Sequence, residues 1–85
     1  MTEQEALRER IAAIVEQSSD GSVSRQDALT SSATLIESGL SSLSYLRLID
    51  GIENELGVYI DLEGDTTFLR TVDGIADYVD AQLSA

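Results

Sequence analysis

The chain contains no cysteine, no histidine and no lysine. Without the first two there is no disulfide, no Cys/His zinc site, no thiol nucleophile and no imidazole to act as a base near neutral pH. Most catalytic constellations disappear with them. The cations are five arginines set against 16 acidic side chains, for a net charge of −11. Such a surface repels phosphate backbones and anionic lipid, so neither nucleic acid nor a membrane is expected as a partner. No run of about twenty apolar residues is long enough to span a bilayer. The opening Met1-Thr2-Glu3-Gln4-Glu5 lacks the basic-then-apolar order of a signal peptide, and the expectation is a cytoplasmic protein. At 85 residues the chain makes one domain over 1–85, which excludes a two-lobed enzyme with a cleft between domains. Its 42% apolar content supports a core, though a small one.

Hydrophobic spacing then places the elements. Leu7, Ile11, Ile14 and Val15 fall on one helical stripe, and Thr2 with Glu5 fits a capping box, which predicts a helix over about 3–17. Ser18-Ser19-Asp20-Gly21 stops it. Residues 18–41 have no sustained period, are rich in serine and carry scattered apolar residues. They read as a long first loop pinned at intervals, with room for one helical turn around Gln26–Leu29. From Ser42 to about Leu56 the period is helical again, with Tyr45, Leu48, Ile49, Ile52 and Leu56 on a broad apolar face and Leu46 at its edge. Leu43 breaks the wheel, standing in the polar arc with Arg47, Asp50 and Asn54. Gly57 ends this helix and Val58–Ile60 reads as an extended link. A brief helix over Asp65–Leu69, capped by Asp65, precedes a last helix in which Val72, Ile75, Ala76, Val79 and Leu83 repeat at three and four behind a Thr71 cap. Gly74 weakens that helix by about 1 kcal/mol relative to alanine. The fold class is all-α, a four-helix bundle with three long helices, a short third helix and a long first loop.

One segment is informative about chemistry. Gly39-Leu40-Ser41-Ser42-Leu43 runs directly into the second long helix and resembles the signature of the acyl and peptidyl carrier proteins of fatty acid, polyketide and nonribosomal peptide synthesis. The similarity extends over nearly the whole chain, since Gly57–Ile60 and Phe68–Val79 look like that family's third loop, short third helix and last helix. The resemblance implies a bundle of the acyl-carrier type in which Ser42 accepts 4'-phosphopantetheine from coenzyme A. The thiol of that arm then carries an acyl or aminoacyl thioester between enzymes. The implied partners are a phosphopantetheinyl transferase and loading and condensing enzymes, approached by a discrete, monomeric carrier. Where acyl carriers usually have aspartate before the serine, this chain has Ser41.

Physical chemistry favours Ser42 independently. In the first turn of a helix the leading N–H groups lack intrahelical partners and the macrodipole is positive, so a phosphodiester placed there finds donors. Ser41 as N-cap, bonding the N–H of Leu43 or Ser44, would leave Ser42 facing water. Ser42 is not a catalytic nucleophile: the Gly-x-Ser-x-Gly elbow lacks its second glycine and there is no histidine to take the proton. Leu43 beside it reads as a partner anchor, with Leu46, Arg47, Asp50 and Glu53 completing the contact surface. Leu46, Ile49 and Ile60 would line any interior shelter for an acyl chain, ordinary core being the preferred reading. Basic partners and salt-sensitive association are expected. Asp61, Glu63 and Asp65 imitate a calcium loop but lack its glycine and terminal glutamate. The competing class is a small acidic helical adaptor without a covalent cofactor.

Overall fold

In a computed structural model that describes residues 2–30 and 32–84, the chain folds as α1 (Glu3–Ser18), α2 (Arg25–Thr30), α3 (Leu35–Ser38), α4 (Ser42–Leu56), a 3₁₀ turn (Thr67–Arg70) and α5 (Val72–Leu83). No strand occurs among the described residues. The long helix α1 is the hub, packing against α2, α4 and α5, while the 3₁₀ turn packs on α5. Ile11, Val15, Leu48, Ile52, Ile75 and Val79 are wholly enclosed between these helices, with Val23, Leu35 and Leu40 sealing the core from the first loop. The radius of gyration is 11.6 Å, against about 12 Å expected for a packed chain of this length.

The three long helices start and stop where the sequence places them. Thr2 Oγ1 accepts the Glu5 N–H at 3.1 Å. Gly57 ends α4 in the left-handed region at φ 69°. Two expectations need correction. The helical turn expected around Gln26–Leu29 is present as α2, but the first loop also folds a second helix, α3. Ser24 caps α2 through the Asp27 N–H at 3.1 Å, and Thr34 and Glu37 form a complete capping box on α3. The third helix is a 3₁₀ turn that starts two residues late. Asp65 Oδ1 accepts both the Thr67 N–H and its hydroxyl, which holds the preceding residues in a turn rather than in a helix. Those bonds, the hydroxyl first, lower the Asp65 pKa.

Gly74 has a tertiary explanation that helix propensity hides. A Cβ there would lie 2.5 Å from the Phe68 carbonyl oxygen. Glycine lets α5 close on the 3₁₀ turn, where Phe68 also stacks on Tyr78 with ring centroids 3.9 Å apart. The link 58–60 is tied down by side chains. Ile60 N–H donates to Glu53 Oε2 at 2.9 Å, and the Gln82 amide grips both the N–H and the carbonyl of Tyr59. Arg8 of α1 pairs with Asp73 of α5 and donates to the Leu29 carbonyl of α2, joining three helices at one point.

Candidate functional site

The start of α4 is positioned from its N-terminal side by a four-residue helix with caps at both ends. Glu37 accepts the Thr34 N–H and hydroxyl at 3.0 Å each. These bonds, the backbone one foremost, lower its pKa. Gly39 leaves α3 at φ 118°, a conformation that L side chains rarely adopt. The Leu40 N–H then returns to the Leu35 carbonyl at 2.9 Å, and both leucines enter the core. With Leu40 fixed inside, the chain emerges at Ser41 in extended backbone, φ −80° and ψ 168°, and begins α4.

Ser41 Oγ accepts the Ser44 N–H at 3.1 Å and donates to Ser44 Oγ at 3.1 Å. The cap falls on Ser44, one of the two positions the sequence allows. Its hydroxyl is therefore occupied. Ser42, one residue on, is exposed, and its hydroxyl bonds nothing among the described residues. The N–H groups of Ser42 and Leu43 likewise meet no acceptor there. A free hydroxyl and two free backbone donors thus share the positive end of a 15-residue helix. Three residues further on, Tyr45 Oη donates to the Leu69 carbonyl at 2.7 Å and moors this end of α4 to the 3₁₀ turn. Burial raises the Tyr45 pKa, and Arg70 opposes part of that rise.

The other predicted site residues separate into two groups. Leu43, at 58% exposure, and Leu46, at 61%, lie on the outward arc of α4 with Arg47 and Asp50. For Leu46 this corrects both the core and the cavity-lining readings, because α4 packs on α1 and buries Leu48 and Ile52 while Leu46 stays outside. Glu53 does not join that arc freely. It is half-buried, and its carboxylate is committed to the Ile60 N–H. Ile49 is half-buried and Ile60 buried, both as ordinary core.

A cavity of about 170 Å³ lies among Ala28, Leu35, Ser38 and Val72, and a groove of about 300 Å³ runs between α1 and α4 past Arg10, Ile14 and Glu55. Neither reaches Ser42, Leu46, Ile49 or Ile60.

Two residues escaped the sequence reading. Ile36 is 66% exposed, turned outward by the capped helix whose other apolar residue, Leu35, is buried. Asp20 reaches Arg47 Nη1 at 3.3 Å across 27 positions. The alternation of Leu35 and Ile36 within a Thr-x-x-Glu box was a readable sign of the first. Nothing local announces the second.

Among the described residues no helix is long and apolar enough to cross a membrane, and no three acidic side chains are grouped to hold a metal ion. The arrangement offers an addressable hydroxyl framed by exposed aliphatic side chains. Comparisons of the chain with protein-family models, with curated proteins and with solved structures find no match.

Proposed function

We propose that the protein is a carrier that bears 4'-phosphopantetheine on Ser42 and moves thioester-bound acyl or aminoacyl groups between enzymes. The observation that carries this reading is the Ser42 hydroxyl, exposed and unbonded among the described residues in the first turn of α4, within Gly39-Leu40-Ser41-Ser42-Leu43. In the modification the Ser42 oxygen forms a new bond to the phosphorus that bears the pantetheine. The diphosphate bridge of coenzyme A breaks, the adenosine bisphosphate leaves, and the transferase takes the hydroxyl proton. The product phosphodiester sits against the free N–H groups of α4, which favour an anion at that position. Ser41 supports this as cap rather than as acceptor, since its hydroxyl already serves Ser44.

Leu43 and Leu46 supply apolar contact for the transferase and for the enzymes that load and use the cargo, with Arg47 and Asp50 in the same footprint. Glu53 contributes by fixing the 58–60 link instead of by touching the partner. The helical architecture of short loop helices and three long helices suits a bundle of the acyl-carrier type, and the net charge of −11 steers basic partners toward it.

The same exposed leucines favour the second reading, an adaptor that binds through α4 without any covalent group. Intact-mass analysis after incubation with coenzyme A and a broad-specificity phosphopantetheinyl transferase separates the two. The carrier gains one arm, Ser42→Ala gains none and Ser41→Ala still gains one. An unmodified wild-type chain leaves the adaptor.

A further inference from the structure

One charged side chain near Ser42 has the wrong sign for the surface around it. The chain carries −11 overall, yet the exposed arc of α4 presents Arg47, the sole cation of that helix. Among the described residues its guanidinium is met once, by Asp20 Oδ2 at 3.3 Å, and both side chains stand largely in water. A guanidinium holds five N–H donors in a rigid fork, so a single contact of that length leaves most of them to solvent. Arg47 follows Leu43 by one helical turn and Leu46 by one residue, about 7.5 Å along the axis from Ser42. An enzyme acting on the Ser42 hydroxyl covers the start of α4, and burying Leu43 and Leu46 strips water from Arg47 as well. A desolvated cation with one weak partner is costly unless the incoming surface supplies an acceptor. The planar fork fits a carboxylate through two parallel bonds.

We infer that the transferase that loads Ser42 presents a carboxylate to Arg47, an acidic point within a contact surface that is otherwise apolar and basic. This rests on the carrier reading above. It makes Arg47 a specificity residue: a partner with lysine or arginine at that point is refused, and one with aspartate or glutamate is accepted. Attraction between an acidic carrier and a uniformly basic enzyme demands the opposite, because Arg47 would then weaken binding and an acidic replacement would strengthen it. The two accounts differ in sign.

Steady-state modification of the full chain by coenzyme A and a broad-specificity phosphopantetheinyl transferase decides between them, with intact mass as readout. Arg47→Glu is expected to lower kcat/KM roughly tenfold and Arg47→Gln roughly threefold, both through KM with kcat retained, while Arg47→Lys recovers part of the loss. Circular dichroism confirms that each variant is folded. An Arg47→Glu chain with an unchanged or lower KM overturns the inference and leaves the carrier reading standing. A loss confined to kcat also overturns it. If the wild-type chain accepts no arm, the carrier reading falls and this inference with it.

Discussion

The helices α4 and α5 begin with nearly the same device and end up with opposite surroundings. Ser41 Oγ accepts the Ser44 N–H at 3.1 Å and the Ser41 carbonyl accepts the Tyr45 N–H at 2.9 Å. Thr71 Oγ1 accepts the Gly74 N–H at 3.0 Å and the Thr71 carbonyl accepts the Ile75 N–H at 3.1 Å. At α5 the next residue, Val72, is buried, Asp73 is paired with Arg8, and the Phe68 carbonyl lies over Gly74. At α4 the next residues are Ser42 and Leu43, both in solvent. Cap chemistry starts a helix, but it does not make a site. What decides is whether another element closes over the first turn.

The strongest way to break this comparison is to pry open the sealed end. Gly74→Ala adds a good helix former, and propensity alone predicts a gain of about 1 kcal/mol. The close Phe68 carbonyl predicts instead a loss on the order of 2–3 kcal/mol, read as a lower urea midpoint. A stabilised Gly74→Ala would show that α5 is not sealed in this way.

Smaller is the effect of cutting the mooring of α4. Tyr45→Phe removes the bond to the Leu69 carbonyl and costs about 1 kcal/mol, as measured by denaturant unfolding. Because burial raises the Tyr45 pKa above its ordinary 10.0, the folded state binds this proton more tightly than the unfolded state. Its contribution is complete below pH 10 and is lost as pH rises through the folded-state value. Stability above pH 10 should therefore fall more steeply for wild type than for Tyr45→Phe.

The two caps can be compared directly. Ser41→Ala and Thr71→Ala each remove one side-chain acceptor, for about 1 kcal/mol or less. Thr71→Ala should cost more, since its site is half-buried and water replaces the lost bond less readily. Equal unfolding midpoints would deny the difference between the two ends. The smallest effect belongs to Ser42→Ala. An exposed hydroxyl with no partner among the described residues contributes within about 0.5 kcal/mol, so the variant should unfold like wild type while taking up no cofactor arm. A large destabilisation would mean that Ser42 serves the fold.

Much of this was legible in the sequence where a single helix face carries the signal. The stripes of α1, α4 and α5, the caps Thr2, Ser41 and Thr71, and the stop at Gly57 depend only on neighbours within a few positions. The polar-arc position of Leu43 belongs to the same class. The first loop was harder, because α2 and α3 are too short to show a period of 3.6. Their marks were Ser24-x-x-Asp27 and Thr34-x-x-Glu37, capping patterns that stand without an apolar run behind them. Leu46 as core or cavity lining, and Glu53 as a free contact residue, were misjudged for a different reason. A helical wheel ranks positions by angle, but the bound of the buried face is drawn by whichever helix packs there. Here α4 packs on α1 and buries Leu48 and Ile52 but not Leu46, while the returning link at Ile60 draws Glu53 in.

The order of residues alone determined the helices, their caps and the absence of any thiol or imidazole, since each follows from local backbone bonding and side-chain chemistry. Only the folded chain decided which helix start stays open, that Arg47 meets Asp20, and that Gly74 must be glycine. The Arg47–Asp20 contact spans 27 positions, and the other two depend on whether a neighbouring element packs over a helix start, as the 3₁₀ turn does at α5.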